Sequence, residues 1–279
     1  MAAGDIHHVT GSLTPSRAAI KFIATGDEAF LIDVFAAARV AANDEAGTVT
    51  AWINVPDITG TYGIWSCGDT AAIEFISLRV EAGKIAAECN DATTDQWEHT
   101  TTNVVLTPHK WHHIALVQNK ELTPPKIYVD GVHITAMTAT LETDNGTWFK
   151  DCDLIDDGSI GADEEAGAAG QIDEFKGGIS DVKYWAVELT DEMVKQDFQG
   201  AIPASITGTS SDFTDWWKME DATNAVTAAN FGVAGASLKY VPQYSEFTSR
   251  MAFLNAVVAD DICISVNERE GHCVIVKAA

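Results

Sequence analysis

Along Thr48-Val49-Thr50-Ala51-Trp52-Ile53-Asn54-Val55 every second residue is apolar, so Val49, Ala51, Ile53 and Val55 share one face while Thr48, Thr50, Trp52 and Asn54 share the other. A period of two belongs to an extended strand with one buried face, not to a helix. Comparable short runs at 18–23, 73–80, 84–88, 111–118, 126–129 and 178–185 are divided by Gly, Pro, Asn and Asp. Val80-Glu81-Ala82-Gly83-Lys84-Ile85 and Tyr128-Val129-Asp130-Gly131-Val132 place turn residues between apolar ones and read as hairpin corners. Many short strands with few helices predict an all-β, jelly-roll-like sandwich of two antiparallel sheets.

One short helix is expected after Leu189, with Thr190 as N-cap, Asp191 and Glu192 in the first turn, and Met193, Val194 and Phe198 on one side. The run from Phe35 to Ala42 fits either a second short helix or a continuation of the strand before it. Three parts are expected: an N-terminal arm at 1–17, the sandwich at 18–202, and a C-terminal extension at 203–279. The extension closes on a hairpin formed by Ile262-Cys263-Ile264-Ser265-Val266 and His272-Cys273-Val274-Ile275-Val276. That last strand either adds an edge to its own sheet or joins a neighbour's, because an unpaired apolar edge invites aggregation. The acidic, Gly- and Ala-rich stretch 142–170 reads as one or two long surface loops.

The chain carries 41 acidic against 17 basic residues among 279, a formal charge of −24. Phosphate backbones and anionic lipid headgroups repel such a chain, which argues against nucleic acid and membrane as partners. Its 46% apolar content nevertheless supports a substantial core. No apolar run approaches the ~18 residues of a membrane helix. Met1-Ala2-Ala3-Gly4-Asp5-Ile6-His7-His8 lacks a cationic segment followed by an apolar one, so synthesis without a secretory signal is expected.

Cys67, Cys89, Cys152, Cys263 and Cys273 show neither a CxxC pair nor a Cys/His ligand spacing, and are expected to be buried free thiols. Cys263 and Cys273 flank the terminal hairpin, a placement that can bring them together. His112 and His113, like His7 and His8, are adjacent; on a strand they face opposite ways and cannot chelate one metal, and one packed and one exposed ring is expected in each pair. Gly-x-Ser-x-Gly, Walker and dinucleotide motifs do not occur.

Four pieces recur in a telling order. They are Thr48–Val55 with Ile64-Trp65-Ser66-Cys67-Gly68-Asp69; Trp111-His112-His113-Ile114-Ala115-Leu116-Val117; Ile127-Tyr128-Val129-Asp130-Gly131-Val132; and Ser159-Ile160-Gly161-Ala162 followed by 170–185 and the helix from Thr190. Together they resemble a laminin-G-like domain of the concanavalin A-like lectin/glucanase superfamily, over about 18–200. Downstream, Ile202-Pro203-Ala204-Ser205-Ile206 and Asp215-Trp216-Trp217-Lys218-Met219-Glu220-Asp221 are similar to a stretch that follows such domains in virion proteins of tailed phages, many from marine hosts.

The resemblance implies a non-enzymatic virion protein, a capsid decoration or a tail or fibre component, made in the host cytoplasm. Its partners would be capsid or tail subunits, further copies of itself and a host glycan. The alternative is a calcium-dependent carbohydrate-binding module or adhesin. Retaining glucanases of the superfamily use a Glu-x-Asp-x-Glu strand with carboxylates ~5–5.5 Å apart. Here Gln171-Ile172-Asp173-Glu174-Phe175 replaces both outer glutamates, and on a strand Glu174 would face away from Asp173, so no enzyme is expected.

Calcium at a sandwich rim is a further implication, and Asp151, Asp153, Asp156 and Asp157 supply hard oxygen ligands, with Asp69 as a weaker partner. Ile155 stands where an EF-hand loop needs a ligand, and in so acidic a chain the same cluster also reads as a solvated loop. Trp65, Trp97 and Trp148, in or beside turn-rich stretches, are the candidates for stacking on sugar rings, with core or interface packing as the competing reading. Trp52, Trp111 and Trp185 lie within strands and are expected in the core; of Trp216 and Trp217, one should pack inward while the other covers an interface.

Overall fold

The computed structural model describes residues 19–23, 29–69, 74–91, 94–119, 124–164, 171–201, 203–207, 212–219, 239–240, 262–267 and 272–277. The expected arm at 1–17, with His7 and His8, and the residues Glu220 and Asp221 lie outside them. Residues Ala19–Glu246 form one compact unit built on two antiparallel sheets.

The seven-stranded sheet runs β1 (Ile20–Ile23), β13 (Lys176–Trp185), β3 (Gly47–Asn54), β8 (Trp111–Gln118), β9 (Lys126–Val129) and β10 (Val132–His133), with β14 (Phe213–Trp217) also paired to β13. The eight-stranded sheet runs β11 (Met137–Glu142), β7 (Asp95–Thr101), β6 (Lys84–Asp91), β5 (Glu74–Glu81), β4 (Thr61–Asp69), β12 (Asp157–Ile160), β2 (Phe30–Leu31) and β15 (Lys239–Tyr240). The predicted corners are both tight turns with left-handed residues, Ala82-Gly83 (φ 48° and 77°) and Asp130-Gly131 (φ 52° and 75°). This backbone matches the right-handed twist of the strands it joins.

The alternation read in 48–55 holds: Val49, Ala51, Ile53 and Val55 enter the core between the sheets, where they meet Ile76, Leu78, Val80, Ile85, Ala87 and Cys89. Thr48 and Thr50 face the other way. The open reading of 35–42 resolves as helix α1 (Asp33–Ala42), which ends on left-handed Asn43. Phe35 anchors it, with its ring edge-on to Tyr184 and Trp217 at 5.0 and 5.1 Å. Helix α2 (Asp191–Phe198) starts as predicted, with the Thr190 hydroxyl accepting from the Met193 N–H. It is followed by the short α3 (Pro203–Ile206). A second apolar cluster, including Ala115, Val117, Tyr128, Trp185, Leu189 and Val194, packs α2 against the outer face of the seven-stranded sheet.

Two expectations about boundaries need correction. The sandwich continues past 202, because β14 pairs with β13 from Val182↔Trp217 to Trp185↔Phe213 and β15 pairs with β2. Residues 142–170 are not simply surface loops either: β12 lies between β4 and β2, and Trp148, Phe149, Cys152 and Ile155 are buried. Apolar side chains set among the aspartates carry that stretch inward, and the acidic composition conceals them.

The hairpin of β16 (Ile262–Asn267) and β17 (His272–Lys277) forms as expected, in a unit separate from the sandwich. Its register sets Cys263 opposite Val276 and Cys273 opposite Val266, so the two cysteines are not cross-strand neighbours. Among the described residues no helix is long and apolar enough to cross a membrane.

Candidate functional site

On the eight-stranded sheet, β5, β6 and β7 send Ile76, Leu78, Ile85, Ala87, Cys89 and Trp97 into the core. Alternation therefore turns Ser77, Arg79, Glu88, Asn90, Gln96 and Glu98 to the opposite face. The two-residue turn pairs Glu81 with Lys84 and so fixes Ser77 opposite Glu88. Further pairings extend the row to Glu98 on one side and to Ser66 and Ser159 on the other. Polar side chains thus cross the sheet in line from β7 to β12.

Glu88 directly opposite Glu98 is a like-charge pair, which destabilises a sheet on its own. Arg79 binds the two together: its guanidinium lies 2.7 Å from Glu88, 3.5 Å from Glu98 and 3.9 Å from Asp163. One cation thus serves three carboxylates. The Ser66–Ser159 end of the row is roofed by 162–164. The Ser77 hydroxyl donates to Asp163 Oδ2 at 2.6 Å, the Glu164 N–H to Ser66 Oγ at 3.1 Å, and the Ser159 hydroxyl to the Ala162 carbonyl at 3.0 Å.

Gly63 and Gly68 permit the roof to lie so close, because a Cβ on either would collide with the backbone of Ala162–Asp163 or of Glu164. Burial raises the Asp163 carboxyl, against the pull of Ser77 and Arg79. Its Oδ1 is buried without a hydrogen-bond partner among the described residues. Burial also pushes Glu164 up to about 7, although Gln171 donates to it at 3.0 Å. At the other end Arg79, Glu88, Asn90 and Gln96 are still buried, and the row reaches solvent at Glu98, whose side chain is 24% exposed.

A second polar cluster sits on the outer face of the seven-stranded sheet, beneath α2. Asp197 is fully buried and accepts from Lys183 at 2.9 Å and from Thr50 at 2.8 Å, with His113 Nε2 at 2.9 Å. Burial alone would raise this carboxyl, but the Lys183 charge and the His113 hydrogen bond outweigh it and hold it far below the usual carboxylate range. Trp52 and Phe198 stack beside it with centroids 5.6 Å apart. The arrangement ties the helix to the sheet and is sealed.

The residues singled out in the sequence fare unevenly. Trp65, Trp97 and Trp148 are each 0% exposed, which corrects their reading as sugar platforms. Trp65 and Trp97 fall on core-facing positions of β4 and β7, while Trp148 stacks on Trp97 and donates to the Tyr184 hydroxyl at 3.1 Å. Asp151, Asp153 and Asp156 are exposed and Asp157 half-buried. Asp69 is at the edge of burial. Among the described residues no group of three or more His, Cys, Asp or Glu is placed to hold a metal ion, so these carboxylates are not brought together as a calcium site.

His112 and His113 do face opposite ways, but both are buried. His112 lies 3.0 Å from Asp130 and accepts from the Thr107 N–H, while α2 covers His113. Gln171–Phe175 precedes β13 as an isolated bridge and turn, not a strand. Asp173 is exposed there at φ 49°. Trp185 is buried in the second apolar cluster, outside the core between the sheets, and Trp52 lies beneath α2, while Trp111 is half-exposed. Trp217 packs inward and Trp216 stays near the surface, with Lys218 4.6 Å over its ring. No motif in the sequence marks Arg79, Glu88, Glu98, Asp163 or Glu164. The alternation on β5 and β6 and the Ala82-Gly83 turn were the available signal for Arg79 and Glu88, since together they set the register.

Two facing antiparallel sheets, with a polar row crossing the outside of one of them, define a lectin-like sandwich. The model of the Laminin_G_3 family, Concanavalin A-like lectin/glucanases superfamily, matches residues 33–195, more than half of the chain, and the chain belongs to that family. No curated protein matches it.

Among solved structures, the CBM40 module of the Ruminococcus gnavus IT-sialidase is similar at TM-score 0.53 and 16% identity, covering 65% of this chain and 97% of that one. A candidate carbohydrate-binding protein from Bacteroides ovatus has the same score and identity, over 84% of this chain and 61% of its own. A leech intramolecular trans-sialidase matches at 0.51 and 16% identity, over 67% of this chain but 29% of its own. At such identities the likeness is one of fold.

Proposed function

We propose that this chain is a non-catalytic lectin-like module that binds uncharged glycans across the outward face of the eight-stranded sheet, at the end of the polar row where Glu98 reaches solvent beside the buried Arg79, Glu88, Asn90 and Gln96. The observation that carries this reading is the facing Glu88–Glu98 pair. A like-charge pair held by one guanidinium is a local conflict of the kind folds retain at functional sites. Carboxylates and amides in that setting accept and donate to sugar hydroxyls, and charge-assisted hydrogen bonds are the stronger kind. The Ruminococcus gnavus CBM40 was solved with α2,3-sialyllactose bound, at 15% identity and TM-score 0.53. Here three carboxylates already surround the guanidinium that a sugar carboxylate would seek, so an acidic sugar meets net repulsion.

In the same proposal the module is displayed on the particle of a tailed phage, made in the host cytoplasm and bound to capsid or tail subunits and to copies of itself. The similarity of 202–221 to virion proteins supports this. A glycan array with the full chain tests the first part. Binding of neutral oligosaccharides that survives chelator is expected. Turnover of a polysaccharide that disappears with Glu88→Gln or Glu98→Gln would make the chain an enzyme, and loss of binding with chelator would restore a calcium role to the 151–157 segment. Banding particles on a density gradient tests the second part: the chain should co-migrate with a capsid shell in fixed proportion, and its recovery only in the soluble fraction would end the virion reading.

A further inference from the structure

Cys89 and Cys152 are both fully buried, 63 positions apart in the chain, and their sulfurs lie 3.8 Å from each other. We propose that they are a latent disulfide, which closes when the folded chain meets a disulfide oxidant such as oxidised glutathione. A disulfide bond is about 2.05 Å long, so the sulfurs need to approach by about 1.8 Å. Cys89 is held in the middle of β6, with Ile76 of β5 and Trp97 of β7 opposite it. Cys152 hangs on a turn fixed by its N–H to the Trp148 carbonyl at 3.2 Å, so the adjustment falls on that turn.

Among the described residues the other buried thiol, Cys67, does not compete for Cys89. Cys67 pairs with Ile76, and Ile76 with Cys89, so two strand spacings of about 4.8 Å separate Cys67 from Cys89. That exceeds the reach of a disulfide.

The reaction balances as thiol–disulfide exchange. Both sulfurs are fully buried, so the exchange starts from a local opening of the 148–152 turn that brings Cys152 to solvent; its thiolate then attacks one sulfur of glutathione disulfide, breaking its S–S bond and releasing one glutathione thiolate. The Cys89 thiolate then attacks Cys152 Sγ in the mixed disulfide and expels the second glutathione. Two protein thiols lose two electrons and two protons, and one glutathione disulfide becomes two thiols. Burial pushes the Cys89 thiol well up, which makes the closure slow in the folded chain. The product would fasten the turn bearing Trp148 and Phe149 to the middle of the eight-stranded sheet.

The test incubates the full chain in a glutathione redox buffer until its thiol content is constant. It is then unfolded with an alkylating reagent and its peptides are read by mass spectrometry. The expected result is a Cys89–Cys152 linked peptide pair, two hydrogens lighter than the reduced pair, with Cys67 alkylated. A loop of this length should raise Tm by roughly 10 °C over the reduced chain, and Cys152→Ala should abolish that rise. Recovery of Cys89 and Cys152 as alkylated thiols at the end point, or their capture by glutathione or by another cysteine, overturns the proposal. The wild-type peptides decide this even if the variant does not fold.

Discussion

The two polar clusters lie on the outer faces of different sheets, and they differ in closure and in charge. Beneath α2, Asp197 is met by Lys183, Thr50 and His113 and has no exposed surface. Across the eight-stranded sheet, Arg79 is shared among Glu88, Glu98 and Asp163, with Glu164 close by the roof and Glu98 in contact with solvent. A sealed cluster whose carboxylate is fully partnered positions an element, even though His113 Nδ1 is left without a hydrogen-bond partner among the described residues. A cluster with more carboxylates than cations that reaches solvent at Glu98 is the one to which the proposed reading assigns donors from outside.

The comparison can be broken most forcefully at Asp197. Asp197→Ala leaves Lys183 buried without its main counter-charge and should cost about 3–5 kcal/mol in a denaturant titration. A loss below about 1 kcal/mol would mean that the cluster does not hold α2. Glu164 gives the next largest effect. Its folded pKa of about 7 lies above the ordinary 4.5, so the folded chain binds the extra proton between these values. Stability is therefore greatest below pH 4.5 as far as this group is concerned, and falls by about 3 kcal/mol as pH rises to 7. Glu164→Gln keeps an acceptor for Gln171 and should flatten that slope. An unchanged slope would show that the roof is not buried as described.

Smaller effects sharpen the contrast. Thr190→Ala removes the N-cap of α2 and should cost about 1 kcal/mol. Glu98→Gln, at a part-exposed pair, should change stability by less than about 1 kcal/mol. On the proposed reading its effect falls on glycan binding instead.

The sequence reading went furthest where the determinants are local. The 111–118 and 126–129 strands, the two left-handed corners and the Thr190 cap follow from neighbours along the chain, and their observed bounds agree. The tryptophans show where such reading stops. Trp97 lies among Gln96, Glu98 and His99, which look like a loop until β6 and β11 supply partners on either side. Trp148 is drawn inward by Trp97 and Tyr184, both distant in sequence. The family resemblance identified the sandwich, and its motifs contain Ser66 and Ser159, but it offered none of the charged residues of the polar row. That row depends on Glu88 meeting Glu98, and on 162–164 folding over Ser66 and Ser77, both contacts made only in the assembled sheet.

The most direct measurement is a calorimetric titration of the full chain and of Glu98→Gln with the best neutral oligosaccharide from the array and with its sialylated counterpart. Saturable binding of the neutral sugar is predicted, weakened about 10-fold or more in Glu98→Gln at unchanged Tm, with the sialylated sugar binding more weakly than the neutral one. Equal affinity in wild type and variant, or preference for the sialylated sugar, would contradict the assignment of this face.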